Sequence, residues 1–264
     1  MKYIFFLITL ILINGLFAQE FSFEPGQEVY TYGDRTKLRA GADVGSEVLT
    51  LLPIGSSVEV LMALEETYPY NGFETPWYKV RFKGQEGYIV GGLLTKVRLE
   101  HAGQVFLVSA KQSEGEFSLL IRALKESGGY LETAFTGDYY PGQYRTYDVS
   151  DGKGLAGVKN ILHVHRYGES CGDGGGYQVL FFDGQALFHV MTVSNFADIG
   201  SSEETLLIFP SQHDKGSDVV LMEVESREEE VTEDFDIVAD GEVTICTRTR
   251  FLRWNGKELL GNKP

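Results

Sequence analysis

Beyond residue 18 the chain has almost no helical periodicity. Instead, β-branched and aromatic runs of four to eight residues recur between Gly, Asn and Asp. Runs of this kind bury a face only by pairing with neighbouring strands and packing on a second layer, so the pattern restricts the chain to an all-β fold. Many of the 31 glycines fall at the predicted turns, where hairpins need positive φ.

The chain start is different. Met1-Lys2-Tyr3 precedes an apolar stretch from Ile4 to Ile13, and Asn14-Gly15 leads on to the small residue Ala18. This is the order of a secretory signal peptide over 1–18, cleaved before Gln19, and the apolar run is too short for a permanent span. The expectation is an exported protein, periplasmic or extracellular, with no membrane span after cleavage. Export also permits a disulfide, and the only two cysteines, Cys171 and Cys246, are predicted to form one, worth about 4 kcal/mol in the chain-entropy account; two unpaired thiols are the alternative. A formal net charge of −15 argues against nucleic acid as a partner.

Two globular parts are expected, at 26–97 and 103–262, because Arg98-Leu99-Glu100-His101-Ala102-Gly103 interrupts the strand pattern. The second part shows candidate strands at 104–111, 117–124, 129–135, 158–166, 177–183, 185–193, 204–209, 218–226, 231–238, 242–249 and 250–255. They predict an antiparallel β domain, either a sandwich or a partial propeller-like meander. Within it Leu180–Leu187 echoes Leu252–Leu259, both reading as hairpins with two-residue turns at Asp183-Gly184 and Asn255-Gly256.

The first part carries a more specific pattern. Leu38-Arg39-Ala40-Gly41-Ala42 is followed by the apolar run Val48–Leu52, a turn at Gly55 and a second run through Val58 and Val60. Trp77-Tyr78-Lys79-Val80, then Gly84-Gln85-Glu86-Gly87-Tyr88-Ile89 and Leu93-Leu94, complete the series. In order and spacing these pieces resemble the bacterial SH3 (SH3b) domain over a quarter of the chain. The resemblance implies a small SH3-like barrel that holds peptide or cell-wall glycopeptide, or serves as a plain protein-interaction module. Independently, Trp77, Val80, Phe82, Tyr88 and Ile89 supply apolar area for the core of a small barrel.

One departure from the family is the long segment Glu65–Pro76 before Trp77. Read as a loop, it carries Tyr68, Tyr70 and Phe73, which with Trp77 and Tyr88 make the expected ligand-binding residues. The plainer reading is that Tyr68, Tyr70 and Phe73 pin this loop to the barrel.

Elsewhere the chemistry is sparse. Cys171 sits among glycines that cannot open a helix, so it does not fit the Cys/His peptidases that often accompany SH3b modules. His163 and His165 share a strand face and are able to reach one ion, but no acidic third ligand stands in a recognisable motif. They are therefore read as the polar side of a half-buried strand, and His189 as a partly buried core histidine. Asp148-Val149-Ser150-Asp151-Gly152-Lys153 falls short of a calcium loop, and Gly172–Gly176 lacks the Lys-Ser/Thr of a phosphate cradle. The acidic run from Glu223 to Asp236 reads as a solvated hairpin tip.

The expectation is thus a non-catalytic cell-envelope binding protein, with no cofactor and no metal, whose partner is peptide, peptidoglycan or another envelope protein. Two alternatives stay open: a cell-wall hydrolase with an unrecognised site in the second part, and a purely structural protein whose barrel packs intramolecularly.

Overall fold

A computed structural model describes residues 21–136, 143–168, 172–232, 237 and 241–261. The expected signal peptide and the tip of the acidic run lie outside these residues. No helix among the described residues is long and apolar enough to cross a membrane. The chain divides into two compact units, 1–143 and 144–264. Both are antiparallel β structures.

The first unit opens with β1 (Glu28–Thr31), β2 (Thr36–Arg39), β3 (Val48–Leu52), β4 (Ser57–Tyr70), β5 (Phe73–Phe82), β6 (Gln85–Val90) and β7 (Leu94–Thr95). They form one seven-stranded sheet in the order β3-β2-β6-β5-β4-β1-β7. Its inner face buries Val29, Leu38, Leu52, Val58, Val60, Tyr78, Val80, Ile89 and Leu94. The SH3-like barrel expected from the sequence is present, with two changes in its core: Trp77 and Tyr88 lie on the outer face of the sheet. Tyr78, not Trp77, points inward: its hydroxyl donates to the Phe21 carbonyl at 2.7 Å and accepts from the Phe23 amide at 3.1 Å.

Four more strands complete this unit: β8 (Val97–His101), β9 (Gln104–Ser113), β10 (Glu116–Leu124) and β11 (Tyr130–Thr136), in the sheet order β11-β10-β9-β8. The segment 98–103, expected to interrupt the strands, is itself β8 and a tight turn at Ala102-Gly103. The barrel and this second sheet share one compact unit, joined through Tyr32, Leu107 and Leu120 with Tyr30, Ile54, Val105 and Leu124 around them. At this seam the Arg122 guanidinium lies 4.1 Å from the Tyr32 ring centre and 4.0 Å from that of Tyr130. It also bonds Glu132 at 2.7 Å and donates to the Tyr32 carbonyl. A guanidinium held between two rings with its N–H groups used is a strong local fastener.

The second unit holds two meanders. The first is β12 (Arg145–Asp151), β13 (Asn160–Arg166), β14 (Gly176–Phe182) and β15 (Leu187–Ser194). The other is β16 (Phe196–Asp198), β17 (Ser201–Ile208), β18 (Val219–Glu229), β19 (Val243–Trp254) and β20 (Leu259–Gly261). They pack on one another through Ile161, Val179, Phe181, Phe209, Val220, Leu252 and Trp254, with the Phe181 and Trp254 rings edge to face at 5.1 Å. The two strands expected at 242–249 and 250–255 are the single strand β19.

The sequence echo has a definite cause. Asp183 Oδ1 accepts the amides of Gln185 and Ala186, and Asn255 Oδ1 accepts those of Lys257 and Glu258. Each turn spans four residues and not the expected two, because the side-chain oxygen takes two N–H groups that a tighter turn leaves to water.

Candidate binding face of the barrel

The segment 65–76 is not a loop. It is the far end of a long β4–β5 hairpin, turned at Asn71-Gly72 with φ of 50° and 84°. The hairpin tip docks on β9: the Gln112 amide donates to the Asn71 carbonyl at 2.8 Å. A Cβ at Gly72 would lie 1.9 Å from the Gln112 carbonyl oxygen, so both the positive φ and the close approach require glycine there.

This docking separates the expected ligand-binding residues. Phe73 is buried, with its ring 5.3 Å from that of Phe21 and 6.2 Å from that of Phe117 on β10. Tyr70 is half-buried against Gly92, and burial pushes its phenol above the ordinary range despite the nearby Arg122 charge. Trp77 is buried on the outer face of the sheet, where the exposed Tyr68 ring meets it edge-on at 6.4 Å. Tyr88 is half-buried.

Directly opposed residues of an antiparallel pair share a face. Met62 on β4, Lys79 on β5, Tyr88 on β6 and Arg39 on β2 therefore form one row across the outer face. Trp77 lies in the neighbouring row on that face. Lys79 is paired with Glu86 at 2.7 Å, and Arg81 with Glu59 at 2.8 Å and Glu86 at 3.1 Å. Met62 and Tyr68 project into solvent, at 48% and 38% exposure. The face is thus amphipathic, with aromatic and thioether surface beside Lys79 and Arg81, which are paired with carboxylates, and Arg39, which donates to the Ser46 carbonyl.

A second group of chemically able side chains lies in the second unit. Asp148 on β12 stands directly opposite His163 on β13, and His165 is two residues along the same face. The Asp148 carboxylate meets both imidazoles, through Oδ1 to His163 Nδ1 at 3.0 Å and through Oδ2 to His165 Nε2 at 2.6 Å. Partial burial alone raises this carboxyl, but the two histidine contacts outweigh it and bring its pKa down to about 2. Asp148 is the acidic partner missing at the sequence level. It was hidden because β12 reads as part of an Asp-rich loop, although Tyr147, Asp148, Val149 and Ser150 alternate as a strand does.

His189 differs from expectation and is exposed. A register shift between Val179 and Leu180 puts His189 opposite Leu180 while Met191 stays opposite Val179, so counting by twos fails across it. Cys246 is exposed on β19. Cys171 lies outside the described residues, and the bridge between them stays an expectation.

Residues 34–95, which run from just before β2 to the end of β7, match the family model for the bacterial SH3 domain. No curated protein and no solved structure matches the chain. Bacterial SH3 domains are generally cell-wall or peptide-binding modules.

Proposed function

We propose that the protein is a non-catalytic, exported cell-envelope protein whose barrel engages the peptide or glycopeptide of the cell wall. The observation that carries this reading is the bacterial SH3 domain match over residues 34–95. The outer face of that same barrel supports it. Exposed Tyr68 against Trp77, with Tyr88, Lys79 and Met62 in the adjoining row, offers flat aromatic area for sugar rings or peptide and polar tips at its edge. Among the expected contact residues, Tyr68 and Tyr88 are the ones that touch ligand in this reading. Trp77 backs them, and Phe73 and Tyr70 hold the hairpin in place.

Purified sacculi mixed with the full chain test this. Retention of the wild type, with clear loss on combined Tyr68→Ala and Tyr88→Ala substitution and an unchanged thermal midpoint, is the expected result. Failure of the wild type to sediment with sacculi removes the cell-wall reading. Undiminished retention of the double variant removes the outer face as the site.

A further inference from the structure

Beyond the barrel, we propose that Asp148, His163 and His165 form a binding site for a divalent cation of the zinc type. The three ligand atoms lie within 4.8 Å of one another. Two imidazoles with one carboxylate suit zinc and its neighbours in the first transition row better than calcium or magnesium, which take oxygen.

The arrangement exceeds what an Asp–His ion pair needs. One carboxylate is shared by two rings, each of which aims a nitrogen at a different oxygen, so that three able ligand atoms, one from each residue, stand within 4.8 Å of one another. The backbone fixes that arrangement. β12 and β13 pair without a register break from Arg145↔Arg166 to Asp151↔Asn160, and Asp148 and His163 are direct cross-strand partners within that run. Behind them Tyr177 on β14 holds both imidazoles, with ring centres at 5.6 Å from His163 and 5.7 Å from His165. Its hydroxyl donates to the Thr205 carbonyl at 3.0 Å, so the ring is anchored from its far end and its oxygen does not compete for the histidines. A metal site gains from ligands held this way before the ion arrives.

Access and fit are also adequate. The His163 side chain is 11% exposed, that of His165 36% and that of Asp148 52%, so the group sits at the rim of a buried face. With bonds of about 2.0–2.1 Å, tetrahedral ligands stand roughly 3.3 Å apart. The three ligand atoms, one from each residue, lie within 4.8 Å of one another, so binding asks only that the exposed carboxylate and the His165 ring adjust slightly and turn their lone pairs to the ion. Three protein ligands leave a fourth position toward solvent, the arrangement in which zinc holds a water or an oxygen of another molecule.

Titration of zinc into the full chain, followed by calorimetry and by competition with a chromophoric chelator, tests the proposal. One equivalent is expected, with affinity reduced at least ~10-fold by His165→Ala and by Asp148→Asn. His165 and Asp148 are exposed enough for both variants to fold, which far-ultraviolet circular dichroism checks. Cys246→Ser, His189→Ala and His213→Ala are expected to bind as the wild type does. Cobalt in place of zinc is expected to give the strong visible bands of a tetrahedral site in the wild type and to lose them in both ligand variants. Absence of stoichiometric binding overturns the proposal, as does binding that persists in His165→Ala and Asp148→Asn or disappears with Cys246→Ser.

Discussion

The two candidate sites invert each other. Tyr68, Tyr70, Phe73 and Trp77 are close in sequence, yet the β4–β5 hairpin sends them to different surroundings: Tyr68 to solvent, Trp77 to the outer face, Phe73 to the contact with β10. Asp148 and the two histidines are separated by the turn between β12 and β13, yet strand register brings their ligand atoms within 4.8 Å of one another. Proximity in sequence says little about a site on strands. Parity along each strand and register between strands decide it.

The sharpest way to break this comparison is alkaline titration of the first unit. Tyr32, Tyr70 and Tyr78 are all shifted upward, in each case first by burial; the Arg122 charge partly opposes this at Tyr32 and Tyr70, and the Phe23 amide at Tyr78. The folded state keeps these phenols protonated to higher pH than the unfolded chain does. The stability they contribute is therefore complete below the ordinary tyrosine range near pH 10 and is lost as pH climbs through it. Unfolding of the barrel unit is expected above that range, followed by circular dichroism against pH. Stability flat to pH 12 would mean that the seam around Tyr32 is not buried in solution.

Single substitutions grade the same contrast. Phe73→Ala is expected to cost about 3–5 kcal/mol in chemical denaturation, since it empties a site packed by Phe21 and Phe117. A cost below 1 kcal/mol would return Phe73 to the set of free ligand contacts. Arg122→Ala is expected to cost about 2 kcal/mol, because it leaves the Tyr32 carbonyl without this donor, removes the ion pair to Glu132 and uncovers two rings. Asp183→Ala and Asn255→Ala are each expected to cost about 1 kcal/mol, since each removes two side-chain bonds from a turn. Equal losses at the two positions would sharpen the account of the sequence echo as shared turn chemistry. Tyr68→Ala is expected to change stability by less than about 0.5 kcal/mol, so that any loss of sacculus binding reports contact and not unfolding.

The sequence by itself determined the all-β class, the barrel segment and most strands of the second unit, because runs of branched and aromatic residues between turn formers are local signals. It also supplied two of the three residues at the proposed metal site, since His163 and His165 are two apart on a strand. What only the tertiary structure decided is everything that depends on pairing. The register shift beside Leu180 turns His189 outward, the pairing of β12 with β13 sets Asp148 opposite His163, and the docking of Gly72 on Gln112 buries Phe73 away from solvent. Each of these is fixed by contact with another strand, and a pattern read along one strand carries no information about the strand beside it.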